Sequence, residues 1–180
     1  MNQALLQSVA NRGKPPEQFL AKLIEWAKSE RADVFAPNTR VDIYSLIKGT
    51  LGPWDSAKHR RAAMCEVLRV LAGFESSWNW TEGKDITNPA ENSPDTESAG
   101  AFQISYNSTR LHPSLQVFAE SCGIGDAVEF RKTMMENPEF ACAYTARLLR
   151  VNLRHNGPVK RGEILAWLKR DAVSAFQLLL

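Results

Sequence analysis

Residues 56–78 read SAKHRRAAMCEVLRVLAGFESSW, and this stretch decides the fold. Ser56, or Asp55 before it, offers a side-chain oxygen to the free N–H groups of a first helical turn. Ala62, Ala63, Val67, Leu68, Val70, Leu71 and Phe74 follow at helical spacing. The pattern predicts a helix from about Ser56 to Ser77. Glu75 stands four residues after Leu71 and seven after Leu68, which puts its carboxyl on the apolar side. Burial disfavours the ionised carboxylate, so a glutamate there is a candidate proton donor near neutral pH. The plainer alternative is a helix-end glutamate turned toward water.

Downstream the character changes. From Asn79 to Ser98 the chain is rich in Asn, Pro, Glu, Asp, Ser and Thr, and Ile86 is its one large aliphatic residue. A polar excursion of that length exceeds ordinary connections and marks a functional or disordered loop. Apolar sequence returns at Gly100-Ala101-Phe102-Gln103-Ile104-Ser105. Beyond it, Pro113, the D-x-x-E pair Asp126 and Glu129, and Asn137-Pro138 each open a helix, and Phe140, Ala141, Tyr144, Leu148 and Val151 form an apolar stripe. His155-Asn156-Gly157-Pro158 marks a turn, Ile164 to Leu168 resume helix, and Asp171 is a candidate cap for the last segment. Upstream, Pro15-Pro16 precede an amphipathic helix carrying Phe19, Leu20, Leu23, Ile24 and Ala27, and Val41, Tyr44, Ile47 and Leu51 form a shorter one. The expectation is a mainly α protein of one domain, 1–180, with N-terminal helices over 1–54 and a core over 55–180.

The 180 residues are 44% hydrophobic and 23% charged, with a formal net charge of +2, enough for one buried core and too balanced for a strong nucleic-acid field. No apolar run approaches the roughly 18 residues of a membrane span, so no membrane insertion is expected. Met1 to Arg12 lack the pattern of a cleaved secretory signal, which predicts synthesis in the cytoplasm. Cys65, Cys122 and Cys142 are too widely spaced for a disulfide framework or a C-x-x-C site and read as buried free thiols, one pair of which could oxidise outside the cytoplasm. The acidic loop lacks calcium-loop spacing, and neither a metal nor a cofactor is assigned.

Glu75-Ser76-Ser77-Trp78 followed by Gly100-Ala101-Phe102-Gln103-Ile104 resembles the paired motifs of the lysozyme-like superfamily of glycoside hydrolases and lytic transglycosylases. The resemblance covers roughly residues 56–170 and implies a lysozyme-like fold with a long polar loop or small β-lobe after the catalytic helix. It implies Glu75 as general acid, Ser76 as its orienting neighbour, Gln103 as a sugar contact, and Tyr144 as an aromatic supplied to the cleft. Trp54, Trp78, Trp80 and Tyr106 flank the proposed cleft as rings able to stack on sugars, with Trp78 and Trp80 the better candidates. The A-Y-N-x-G segment typical of transglycosylases is absent, which favours hydrolysis of peptidoglycan glycan strands. A hydrolase needs a second carboxylate, about 5–5.5 Å away as nucleophile or about 6.5–9.5 Å away as base. Glu97 is the first choice, because it lies just before Gly100, and Asp85 and Asp95 stay open among Glu82, Asp85, Glu91, Asp95 and Glu97.

The chain also resembles the glycoside hydrolase effectors of type VI secretion, which implies action in a target bacterium's periplasm and a periplasmic immunity protein occluding the cleft. A phage endolysin is the alternative. Two other classes compete: a cysteine amidase using Cys65 or Cys142 with His59, His112 or His155, and a helical binding module built on Lys58-His59-Arg60-Arg61 and the Arg147, Arg150, Arg154 series.

Overall fold

The computed structural model describes residues 2–180 and is mainly helical, with no strand among them. The central element, α3 (Ala57–Ser76), begins where Ser56 Oγ accepts the His59 N–H at 3.0 Å. From Ala62 to Gly73 every residue is buried, the charged Glu66 and Arg69 included. The sequence suggests one apolar side. Instead α3 is enclosed all round, because α1 (Glu17–Ser29), α6 (Pro138–Val151) and α8 (Arg170–Leu179) all pack on it.

The other helices fill in around this axis. Asp42 caps α2 (Ile43–Leu51) reciprocally with Ser45. That start leaves Val41 outside the helix and 78% exposed, off the stripe expected of it. His112 caps α4 (Pro113–Ser121), Asp126 caps α5 (Ala127–Glu136) and Asn137 caps α6, all at their sequence signals. The turn at His155 to Pro158 leads into α7 (Gly157–Lys160), a single turn. Asp171 does not cap α8. Lys169 holds that position, and Asp171 lies in the first turn, accepting from Gln7 Nε2 at 2.5 Å. One buried apolar cluster runs from Leu5 through α3 to Phe176.

The excursion after α3 forms neither helix nor strand up to Ser105, and its single β element is an antiparallel bridge between Ala99 and Ile104. It is held by turns, Asx contacts and side-chain ion pairs. Gly100 belongs there by necessity: φ is +70°, and a Cβ would lie 2.5 Å from the Met134 carbonyl oxygen of α5.

Candidate active site

The end of α3 makes the site. Ser77 and Trp78 both take left-handed backbone, with φ of 54° and 64°, and both backbone N–H groups turn back to the Ala72 carbonyl. Two consecutive non-glycine residues in that region cost about 1–2 kcal/mol each, a strain typical of functional segments. The reversal carries the Trp78 indole under the helix, where Nε1 donates to the Arg69 carbonyl at 2.8 Å. Gly73 makes room for it, since a Cβ there would meet the ring at 2.8 Å.

Glu75, one turn above, is half-buried on the wall of a cleft of about 470 Å³. The cleft is shared by Glu82, Asp85, Glu91, Gln103, His155 and Asn156. A second hollow of about 400 Å³ continues it past Glu91, Ser98, Gln103 and His155. Burial pushes the Glu75 carboxyl up to about 7, against the smaller opposing pull of the Asn156 amide and of Arg161. Such a group holds its proton into the neutral range and can give it to a substrate oxygen.

Gln103, the second expected residue, does line this cleft. It has φ of 47°, its Nε2 donates to the Gly100 carbonyl at 3.0 Å, and its Oε1 lies 2.9 Å from Ser98 Oγ. The same hydroxyl lies 2.7 Å from Glu91 Oε1, so its single proton serves one of two acceptors. Ser76 donates to the Ala101 carbonyl at 2.9 Å and accepts from the Asn79 N–H, tying the acid's helix to the Gln103 segment.

Other expected residues lie elsewhere. Trp78 is 3% exposed and is a core residue, because the left-handed reversal turns its ring inward. Tyr144 is fully buried among Phe118, Phe130 and Phe140, with its hydroxyl 2.8 Å from Ser108 Oγ, so it presents no ring to the cleft. Tyr106 donates to the Gly125 carbonyl at 2.9 Å beside Phe130 and is also off the cleft. Trp80 stacks on Phe19 with centroids 4.7 Å apart. Glu97 faces a separate hollow against α5, clamped by Lys84 and Arg131 at 2.6 Å each, and these cations hold its carboxyl below the ordinary range. Among the remaining candidates, Asp95 pairs with Arg110 at 2.5 Å, whereas Glu82, Asp85 and Glu91 line the cleft.

Comparison of the chain with protein-family models, curated proteins and solved structures finds no match. The site therefore rests on its own geometry. His155 and Asn156 were not expected in the cleft: the turn signal at His155 to Pro158 located the bend but not the element it faces. Burial lowers the His155 imidazole below its usual range, which keeps it neutral at pH 7. Among the described residues no group of three or more His, Cys, Asp or Glu side chains could hold a metal ion, and no helix is long and apolar enough to cross a membrane. The Cys65 and Cys142 thiols are fully buried, and burial drives both upward, which makes them poor nucleophiles, whereas Cys122, expected to be buried, is exposed just after α4.

Proposed function

We propose that the protein is a peptidoglycan glycan-strand hydrolase of lysozyme-like type, an N-acetylglucosaminidase or muramidase, with Glu75 as general acid. One observation carries the reading: a half-buried carboxyl raised to about 7 sits on the wall of a polar cleft that also holds Gln103. Proton donation to a glycosidic oxygen needs an acid of that kind. The motif pair Glu75-Ser76 and Gly100 to Gln103 supports the substrate class by resemblance. Resemblance to type VI effectors extends the reading to an antibacterial role in a rival's periplasm, checked by an immunity protein that covers the cleft. Toxicity on periplasmic targeting, relieved by co-expression of a neighbouring small secreted protein, tests that extension.

A second reading has its own support. With Glu97 clamped by two cations, the first choice of second carboxylate is withdrawn from the cleft, and a hydrolase would have to draw on Glu82, Asp85 or Glu91 there. Lytic transglycosylation, in which the sugar's own hydroxyl attacks, needs only the one acid and base.

The Glu75→Gln protein is expected to fold and to cut purified peptidoglycan at least 10²-fold more slowly. Unchanged digestion would overturn the proposal. Mass spectrometry of the wild-type products separates the chemistries: reducing N-acetylmuramic acid ends for a muramidase, reducing N-acetylglucosamine ends for a glucosaminidase, anhydro ends for a transglycosylase.

A further inference from the structure

Asn156 is 4% exposed and lies at the entry to α7. Its Nδ2 donates to the Phe102 carbonyl at 3.1 Å and, at a long 3.5 Å, to Glu75 Oε1. Phe102 fixes which way the amide faces, because turned over it would set Oδ1 against a carbonyl oxygen. A donor therefore faces Glu75. The arrangement leaves Asn156 Oδ1 buried with no partner. An amide that only supported the turn would not need to orphan its own acceptor, so the donor end has a task that outweighs the loss.

A neutral carboxyl has one hydroxyl and one carbonyl-type oxygen, and the carbonyl-type oxygen is the stronger acceptor, so an N–H beside one oxygen favours the proton on the other. We propose that Asn156 is a positioning residue that selects the oxygen of Glu75 carrying the proton: Oε1 is reserved for the amide, and Oε2, which makes no bond to the protein, holds the acid proton. When Oε2 gives that proton to a glycosidic oxygen, the electron pair of the breaking carbon–oxygen bond stays with the departing oxygen. The carboxylate left behind keeps the Asn156 N–H against its new charge. Other charges act on Glu75 at longer range. Arg161 and Glu163 pull in opposite directions through space, and Glu82, Lys84, Asp85, Glu91 and His155 share the cleft.

The catalytic consequence rests on Glu75 being the acid, but the pairing itself can be read without substrate. In protein carrying ¹³C-labelled glutamate, the Glu75 carboxyl signal is the one missing from Glu75→Gln, and its pH titration is followed by NMR. Asn156→Ala is expected to move that midpoint upward by on the order of half a pH unit, because a bond to the charged form is lost. Asn156→Asp, close in shape, is expected to move it further up by placing a like charge there. With peptidoglycan, Asn156→Ala is expected to lower kcat about 10- to 100-fold, to leave KM within about twofold, and to carry the alkaline limb of the pH profile upward with the NMR midpoint. An unmoved Glu75 midpoint in folded Asn156→Ala and Asn156→Asp overturns the pairing, even if the wild type cuts peptidoglycan. A moved midpoint in a protein that leaves peptidoglycan whole sustains the pairing and overturns the substrate reading instead.

Discussion

Glu66 and Glu75 stand on the same helix about two and a half turns apart, on opposite faces, and α3 treats them in opposite ways. Glu66 is fully buried and fully answered: Arg69 grips both oxygens, at 2.7 and 2.9 Å, and the Lys169 backbone N–H adds a third bond at 2.9 Å. Glu75 is half-buried and receives one long amide contact. Desolvation opposes charge at both positions. The partner decides between two fates. Burial raises both carboxyls; at Glu66 a bidentate guanidinium and a backbone N–H oppose that rise by answering both oxygens, whereas at Glu75 a single neutral donor leaves a proton that can depart near neutral pH.

The largest test of that contrast removes the counter-charge. Arg69→Ala leaves Glu66 buried and unpaired, and is expected to cost about 3–5 kcal/mol and to lower the melting temperature by on the order of 10 °C. A loss below about 1 kcal/mol by urea unfolding would end the distinction between the two sites. The next effect has the opposite sign. Below the ordinary carboxyl range both folded and unfolded chains hold the Glu75 proton. As pH rises toward 7 the unfolded chain loses it first, so the folded state loses stability between about 4.5 and 7 and does not regain it above. Removing the charge should therefore stabilise: Glu75→Gln is expected to gain about 2 kcal/mol at pH 8, allowing for residual solvent, and nothing at pH 4. Calorimetry at the two pH values checks it, and equal melting shifts at both would show that Glu75 is an ordinary surface carboxylate. The smallest effect concerns the left-handed reversal at the end of α3. Trp78→Phe loses the bond to the Arg69 carbonyl and is expected to cost about 1 kcal/mol while peptidoglycan digestion stays within about twofold. A larger loss of digestion at unchanged stability would return Trp78 to the sugar.

What could be read from the sequence depends on the range of the interaction. Helix starts at Ser56, Asp126 and Asn137 were legible because a cap bonds to an N–H two or three residues on. Glu75 and Gln103 were legible as a motif pair, and they share a cleft. Trp78 was misplaced because its direction depends on left-handed backbone at Ser77, where the sequence carries no glycine to announce it. Glu97 was misplaced because its fate depends on Arg131, a residue of a helix that the spacing before Gly100 does not reveal. Tyr144 lies on the apolar stripe of α6 that the sequence does show, and the core took it. Asn156 meets Glu75 across 81 positions of chain, a distance no local pattern spans.

The Glu66–Arg69 pair also sets an order of events during synthesis. Arg69 Nη1 bonds to the Gln7 carbonyl, made early, while Glu66 waits for the Lys169 N–H and for α8, which packs more extensively on α3 than any other element does. Until Lys169 and α8 have left the ribosome, an ion pair at the heart of α3 faces water on one side. The helix that carries the acid settles only with α8 in place, so a protein clipped before α8 would carry every residue of the cleft and lack the support that holds it in shape.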